Sequence, residues 1–219
     1  VKALSSGISV RTYERAMAYA LLKEEFPQTR TLPEYPNKEA LWAEAIKATG
    51  GPQTPITYVE FGVYDAQGSF RWFLQNNTSP SSVFLGLDSF HGLPERFGKV
   101  GAGYFDMHGV VPTVEDKRAT LIEGWFKDTW DQLYKHIANR DNLLVHYDAD
   151  IYSSTLFALA RIELLRKPYV ALFDEFTGPE TLATYNYLKA FGAKIEMTGK
   201  VSVHGYPEQL LCRITPHGA

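Results

Sequence analysis

Cysteine is almost absent from this sequence, which has Cys212 as its single thiol among 219 residues. One cysteine cannot form an intrachain disulfide, and one sulfur cannot assemble a thiolate zinc site. Because Cys212 follows the apolar residues Leu210 and Leu211, we expect it to be a buried strand residue. A chain of this length can bury a large hydrophobic core without disulfides or structural metal.

Long apolar runs and an excess of positive charge are absent as well. No segment approaches the roughly 18 apolar residues of a membrane-spanning helix, and residues 1–7 lack the apolar core of a signal peptide. We therefore expect a cytoplasmic protein that is not embedded in a membrane. The formal net charge of −3 provides no field that would attract nucleic acid, so no nucleic-acid partner is predicted.

The sequence has the balance of an ordinary globular protein, with 45% hydrophobic and 21% charged residues. Apolar residues at helical spacing predict helices over residues 10–26 and 38–49, joined by a proline-bearing connector. We interpret residues 1–52 as a helical segment that packs on the core, and residues 53–219 as one α/β domain.

From residue 56 onward, short apolar runs alternate with segments of helical periodicity. Strands are predicted at 56–62, 83–88, 119–123, 143–148, 169–174, 194–197 and 209–214, and helices at 66–76, 129–138, 153–165 and 181–191. This alternation predicts a parallel sheet with helices on both faces, because continuous apolar strands are typical of sheets buried on two sides. The last two strands have no helix between them and are expected to be antiparallel.

One irregular stretch, residues 90–117, is longer than the usual connection between elements. Its glycines are Gly92, Gly98, Gly101, Gly103 and Gly109. We regard this stretch as a candidate lid or substrate loop. Its histidines, His91 and His108, are placed to approach a substrate as a base, although exposed histidines without such a role are the commoner case.

Four predicted strands end at glycine or aspartate, namely at Gly62, Asp88, Asp148 and Asp174. In open parallel sheets, ligands bind beyond the carboxyl ends of the strands. The sequence therefore predicts a ligand site at this edge of the sheet.

The turn after the first strand offers a close-approach glycine, Gly62, and a helix start at Gly68-Ser69. It lacks the three glycines at G-x-G-x-x-G spacing that admit a pyrophosphate, which argues against a dinucleotide. S-adenosylmethionine (SAM) has no phosphate, and one such glycine can suffice for it. An ordinary strand-to-helix turn is the alternative.

Asp88 ends the second strand, where a carboxylate can accept hydrogen bonds from both hydroxyls of a ribose. The alternative is an aspartate that caps the following turn by bonding the backbone two residues on. Trp125 and Phe126, after the third strand, either pack on an adenine or fill the core.

Asp148, Asp174 and Glu175 converge if their strands are neighbours, about 4.8 Å apart. Carboxylates about 4 Å apart repel by about 1 kcal/mol in water and about 4 kcal/mol at an effective dielectric constant of 20, so a proton or a cation must relieve them. Oxygen ligands without cysteine favour Mg²⁺ over zinc. The alternative is that Asp148 caps the next helix while the other two lie on a solvated rim. His146 shares a face with Asp148 and is expected to be a core histidine with a satisfied ring.

Four motifs in order resemble the macrocin O-methyltransferase family, class I SAM-dependent enzymes that methylate sugar hydroxyls of natural products. They occur at residues 58–63, 86–95, 124–129 and 148–155, and the resemblance continues to Glu175. The most specific motif is the Asp-Ser-Phe-x-Gly-Leu-Pro-Glu block that begins at Asp88.

The resemblance implies a Rossmann-like class I methyltransferase fold, with a seven-stranded, mostly parallel sheet, an antiparallel last strand and helices on both faces. It also implies a homodimer. It further implies a cofactor site for SAM at Glu60, Gly62, Ser69, Asp88 and Ser89, and a Mg²⁺ site at Asp148, Asp174 and Glu175.

The chain departs from the family pattern at Glu175 and Ala149, where the family usually has Asp and Gly. Related catechol-type enzymes place a lysine base three residues after the first metal acid, but this chain has Ile151 there, so a lysine base is not supported. Asp148 or Asp150, or a loop histidine, remains as the group that accepts the proton.

These observations favour a SAM-dependent O-methyltransferase, assisted by Mg²⁺, that acts on a hydroxyl of a sugar or other small natural product. The alternatives are a metal-independent methyltransferase and a catalytically inactive SAM-fold binding module. A nicotinamide oxidoreductase is disfavoured by the glycine spacing.

Overall fold

The computed structural model describes residues 10–96 and 99–219. Residues 1–9, to which the expectation of no signal peptide applies, and Phe97 and Gly98 of the long loop lie outside the described residues. The described residues form six α-helices: α1 (Val10–Glu24), α2 (Lys38–Ala48), α3 (Ser69–Asn76), α4 (Phe126–Ile137), α5 (Tyr152–Ile162) and α6 (Pro179–Phe191). They form seven strands: β1 (Thr57–Phe61), β2 (Val83–Asp88), β3 (Ala119–Glu123), β4 (Leu143–Tyr147), β5 (Tyr169–Phe173), β6 (Lys194–Val203) and β7 (Tyr206–Thr215).

The strands form one sheet in the order β3-β2-β1-β4-β5-β7-β6. The pairs from β3 to β5 are parallel, and β7 is antiparallel to both β5 and β6. The predicted fold class is therefore confirmed, including the antiparallel final pair. Since the chain leaves β1 towards β2 and later returns to β4 on its other side, a crevice opens at the carboxyl end of β1.

Two hydrophobic clusters cover the two faces of the sheet. One cluster is formed with α1, α4, α5 and α6, and the other with α2 and α3. Successive strand residues alternate between the faces, so that Val59 and Phe61 belong to the first cluster and Tyr58 to the second. The helices α1 and α2 thus lie on opposite faces, and each completes a core.

Helix α3 begins at Ser69, so the predicted start at residue 66 was wrong by three residues. Tyr64 and Ala66 have left-handed backbones, with φ of 47° and 57°. The carboxylate of Asp88 accepts hydrogen bonds from the backbone amides of Val63 and Tyr64, and so holds this turn away from helical geometry. The cause is a contact with another strand, which local helical propensity does not reveal.

The bounds of several other elements also differ from the prediction, most clearly at α4 and at the final pair of strands. Helix α4 begins at Phe126, three residues before the predicted start, directly after Trp125 in an extended conformation. Strands β6 and β7 are longer than predicted and meet at a two-residue turn, His204–Gly205, whose φ angles are 52° and 82°. Positive φ at both positions matches the right-handed twist of a hairpin.

Cys212 is buried on β7, as predicted, and burial raises the pKa of its thiol. None of the helices in the described ranges is both long and apolar enough to cross a bilayer.

Candidate active site

A cavity of about 570 Å³ opens at the carboxyl ends of the parallel strands β1, β2, β4 and β5. This volume is typical of small-molecule sites. It is lined by all the residues that the sequence analysis named for the cofactor and the metal, and by both aspartates named for proton transfer, but not by the loop histidines: Glu60, Gly62, Ser69, Asp88, Ser89, Asp148, Asp150, Asp174 and Glu175. The neighbouring strand order brings these side chains together although they span 116 positions of sequence, from 60 to 175.

Gly62 is required by the packing of the strand ends. Its φ is +96°, and a Cβ placed on it would lie 1.9 Å from the carbonyl oxygen of Asp148. The backbones meet because the Asp148 amide donates to the Phe61 carbonyl at 3.0 Å. The close approach at Gly62 is therefore made first by the chain itself, and its contact with a cofactor stays a prediction.

Asp88 fulfils the alternative role weighed for it, because its Oδ1 accepts a 2.8 Å hydrogen bond from the Phe90 amide, two residues on. Its Oδ2 accepts from the amides of Val63 and Tyr64 at 3.1 and 2.9 Å. A carboxylate offers about four lone-pair sites, so about one remains for a ribose hydroxyl. Asp88 thus lines the cavity and also fixes the loops on both sides of it.

Ser89 is engaged in the same turn. Its hydroxyl donates to the carbonyl of Gly92 and accepts from the amide of His91, both at 3.1 Å. The hydroxyl has one lone pair left for a ligand.

Glu60 belongs to a buried polar chain on the face covered by α2 and α3. Its Oε1 accepts a 2.6 Å hydrogen bond from the Ser69 hydroxyl, and its Oε2 accepts from the Tyr58 hydroxyl. Burial raises the pKa of Glu60 to about 8, against the opposing effect of these two hydrogen bonds. Both oxygens serve internal partners, so a contact of Glu60 with a cofactor stays a prediction.

His146 is fully buried at the other end of this chain, where its Nδ1 lies 3.1 Å from the Tyr58 hydroxyl. Its Nε2 has no hydrogen-bond partner in the described part of the chain, so the expectation of a satisfied ring was wrong. Burial lowers the pKa of His146 to about 4, which keeps the ring neutral. When Tyr58 donates to Glu60, Nδ1 carries the ring proton and Nε2 is a free acceptor.

Nε2 of His146 points into a cluster with Asp148 and Asp174. In the described ranges, these three form a group whose possible ligand atoms all lie within 4.8 Å of one another. Strand register explains the group, because His146 pairs with Leu172 across β4 and β5, and the aspartates lie two positions beyond. Glu175 lines the cavity but is outside this group, so its role as a metal ligand stays a prediction.

The carboxylate of Asp148 accepts no hydrogen bond from the described residues. Burial and the nearby Asp174 raise its pKa well above the ordinary range. A carboxylate without donors is the state that a cation or a proton relieves. Asp148 is therefore the least satisfied acid of the cluster.

Asp174, in contrast, already has two protein partners that the sequence analysis missed. Lys38 Nζ donates to both of its carboxylate oxygens at 3.1 Å, and the Gln209 amide donates to Oδ1. Both partners are remote in sequence, so no local pattern connects them to the site. One signal was present: Lys38 is the first residue of α2, where the helix dipole disfavours a cation.

Asp150 and Glu175 complete the acidic wall of the cavity. Burial raises the pKa of each to about 7, with a further contribution from Glu175 on Asp150 and from Asp174 on Glu175. Asp150 has a left-handed backbone with φ of 60°. Such strain outside glycine is uncommon and is often found at functional sites.

The two loop histidines lie outside the cavity lining among the described residues. His108 pairs with Asp106 at 3.0 Å and is 87% exposed. The loop reaches the cavity instead through Gly92, Leu93, Pro94 and Phe105, and the Phe105 ring meets that of Tyr64 edge-on at 5.4 Å. The expectation that residues 90–117 contribute to the site therefore concerns these four loop residues rather than the histidines.

Trp125 and Phe126 both line the cavity, but their packing differs. The Phe126 ring also packs edge-on against Phe61 in the core at 5.1 Å, whereas Trp125 leaves 37% of its surface exposed. Trp125 is the better placed of the two to stack on a planar ligand.

No protein-family model matches the chain, and no curated protein sequence matches it. Among solved structures, the calicheamicin methyltransferase CalS11 is similar with a TM-score of 0.54 and 18% identity, over 97% of this chain and 95% of that chain. The O-methyltransferase NovP is similar with a TM-score of 0.51 and 20% identity, over 77% of this chain and 74% of that chain. At these identities the likeness concerns the fold. The chain therefore has the seven-stranded Rossmann-like fold of class I methyltransferases.

Proposed function

We propose that the protein is a SAM-dependent O-methyltransferase that acts, with a divalent cation such as Mg²⁺, on a hydroxyl of a sugar or other small natural product. The observation that carries the proposal is the single cavity that gathers the predicted cofactor residues and the acid cluster on a methyltransferase fold. The resemblance of four sequence motifs to the macrocin O-methyltransferase family supports the same proposal.

The cofactor end of the cavity is formed by the turn after β1 and by Asp88 at the end of β2. SAM supplies an electrophilic methyl group on a positively charged sulfur. Asp88 offers its remaining lone pair to a ribose hydroxyl, the helix start at Ser69 offers free amides, and Trp125 offers a flat apolar surface. These residues hold a nucleoside without any group dedicated to a phosphate.

The acceptor end is lined by Asp148 and Asp174. The buried His146 lies beside them, and the possible ligand atoms of the three residues form a donor set that fits a divalent cation. Two observations on the described part of the chain support this fit: Nε2 of His146 has no hydrogen-bond partner there, and the Asp148 carboxylate, which lies in the same group of possible ligand atoms, accepts no hydrogen bond there. A bound divalent cation supplies Lewis-acid stabilisation of an acceptor oxygen. One imidazole with two carboxylates suits Mn²⁺ at least as well as Mg²⁺, since imidazole is a softer ligand.

Asp150 is the candidate that accepts the acceptor's proton. It lines the cavity beside the cluster but is outside the metal-ligand group, and a pKa of about 7 suits proton uptake near neutral pH. Asp148 is better assigned as a ligand, because it lies inside that group.

One observation favours a metal-independent methyltransferase as a second candidate. The ammonium of Lys38 already neutralises Asp174, so the cluster contains a cation of its own. In that case the acids would position acceptor hydroxyls by hydrogen bonding.

Methyl transfer from isotope-labelled SAM to a panel of hydroxylated sugars and glycosylated natural products tests the proposal, with Asp148→Asn as the metal-site variant. We expect transfer to at least one acceptor, with loss of turnover in EDTA and in Asp148→Asn. Turnover that is unchanged by both would select the metal-independent candidate.

Failure to bind S-adenosylhomocysteine (SAH) would contradict the proposal altogether, and binding without transfer to any acceptor would favour a binding module. The homodimer and the cytoplasmic location expected from the sequence belong to the same proposal. Light scattering on the purified protein tests the homodimer.

A further inference from the structure

The first residue of α2 lies over the end of β5 because α2 is fixed at several points. Asn37 caps the helix by accepting a 2.9 Å hydrogen bond from the Ala40 amide. One turn into the helix, the indole of Trp42 donates to Gln209 on β7 at 3.0 Å. The segment before the cap is bound to β6, where the Tyr35 amide donates to the Lys200 carbonyl at 2.8 Å. The position of Lys38 is therefore determined by the fold.

The side chain of Lys38 occupies both oxygens of Asp174, at 3.1 Å each. The Gln209 amide also donates to Oδ1, and Nε2 of His146 lies 3.9 Å from the same oxygen. Asp174 is 16% exposed and Lys38 is 40% exposed, so solvent screens this ion pair only in part. The ammonium thus lies at the oxygens that a cation bound between His146 and Asp174 would use.

A divalent cation and the ammonium repel each other, and a carboxylate that receives three hydrogen bonds has about one lone pair left. Mg²⁺ and Mn²⁺ coordinate oxygen at little more than 2 Å, which leaves no room for an N–H donor on the same lone pair. The remaining lone pair is on Oδ2, to which Lys38 Nζ also donates, so a cation ligated there would lie beside the ammonium. Withdrawal of the Lys38 side chain therefore favours metal ligation by Asp174. Its long, flexible stem and its exposure at the protein surface permit this movement.

We propose that Lys38 and a divalent cation compete for Asp174, so that Lys38 sets the metal affinity of the His146–Asp148–Asp174 cluster. This inference rests on the metal part of the proposed function. Without metal, the ammonium balances the acid cluster and ties the start of α2 to it. With metal, that tie is released, so metal binding is linked to the freedom of the first turn of α2.

The opposite role is physically possible and predicts the opposite result. If Lys38 only orients Asp174 for a metal bound elsewhere in the cluster, its removal weakens metal binding, as losses of such supporting residues generally do. The sign of the change in metal affinity thus separates competition from support.

The test is Mn²⁺ binding to the purified full chain without cofactor, measured by electron paramagnetic resonance and calorimetry. Lys38→Met is the test variant. Lys47→Met is the matched control, because Lys47 lies on the same helix, pairs with Glu44 and is 69% exposed. We expect Lys38→Met to bind Mn²⁺ about tenfold more tightly than the wild type, the effect of a partly screened ion pair. Lys47→Met should stay within about twofold of the wild type, as expected for an exposed pair.

Lys38→Arg, which keeps the charge and can bond both oxygens of Asp174, should show no gain in affinity. Equal or weaker Mn²⁺ binding in Lys38→Met, or no binding in any variant, would overturn the proposal. If Lys38→Met is unfolded without metal, recovery of its circular-dichroism spectrum in Mn²⁺ supports competition, because metal then replaces the lost cation. Absence of recovery, in that variant and in Lys38→Gln, would also overturn it.

A parallel titration with SAH keeps the two proposals apart. If the wild type does not bind SAH, the proposed function is contradicted, whatever the Mn²⁺ result. Normal SAH binding with no gain in Mn²⁺ affinity contradicts only the competition.

Discussion

Replacement of Asp88 by alanine should destabilise the protein even without any ligand. The carboxylate accepts three backbone hydrogen bonds, from the amides of Val63, Tyr64 and Phe90. At about 1 kcal/mol per bond, Asp88→Ala should lower the free energy of unfolding by about 3 kcal/mol. Since the turn after β1 relaxes at the same time, SAH affinity should fall as well.

Asp65 provides a matched control in the same turn, because its carboxylate accepts one backbone hydrogen bond, from the Gln67 amide at 2.9 Å. Asp65→Ala should cost about 1 kcal/mol, and Asp88→Asn should fall between the two, since it keeps one acceptor oxygen. Urea unfolding followed by circular dichroism measures all three. If Asp88→Ala unfolds at the same urea concentration as the wild type, the carboxylate does not hold the loops and the reasoning is refuted.

Three further perturbations follow from the same geometry. Gly62→Ala should fail to fold or should lose several kcal/mol, since its Cβ would lie 1.9 Å from the Asp148 carbonyl oxygen at a φ of +96°. Gly101→Ala, which has no atom within 4 Å of its Cβ, should melt like the wild type, and equal melting temperatures of the two variants would contradict the reasoning. In EDTA, the free energy of unfolding should fall as the pH rises from about 6.5 to about 8.5. Burial raises the pKa of Glu60 to about 8 and that of Asp150 to about 7. The stability that the folded protein gains from holding these two protons is lost as the pH rises through those values. Urea midpoints across that range, with a shallower slope in Glu60→Gln, check it, and a flat or rising profile would count against it. Trp125→Ala should weaken SAH binding about tenfold if the indole stacks on the adenine, as calorimetry would show, and unchanged affinity would exclude that contact.

Much of the fold could be predicted from the sequence because each parallel strand is an unbroken apolar run. The bounds of β2 and β3 agree with the prediction, and the antiparallel final pair was indicated by the missing helix between β6 and β7. The start of α3 was missed because Asp88 reaches across from β2 and holds the preceding amides. The helical periodicity of the segment does not reveal a contact with a residue on another strand.

The convergence of the acids at the candidate site could be predicted in outline once the parallel strands were recognised, because acids at the ends of adjacent parallel strands must meet. His146 shares its face with Asp148, so alternation alone placed it near the cluster, but only the structure shows its unpartnered Nε2. Lys38 and Gln209 lie 136 and 35 positions from Asp174, and their contacts depend on how α2 and β7 pack. The sequence analysis required a proton or a cation to relieve the repulsion between the acids, and tertiary packing supplies one such cation, the ammonium of Lys38.

The most direct test of the proposed methyltransferase function is calorimetric titration of SAH into the wild-type chain, with Asp128→Ala as an exposed-acid control. One SAH per chain is the expected result, with weaker binding in Asp88→Ala and unchanged binding in the control. No detectable binding at SAH concentrations up to about 1 mM, where even an interaction of about −4 kcal/mol would register, would contradict the assignment of the cavity to this cofactor.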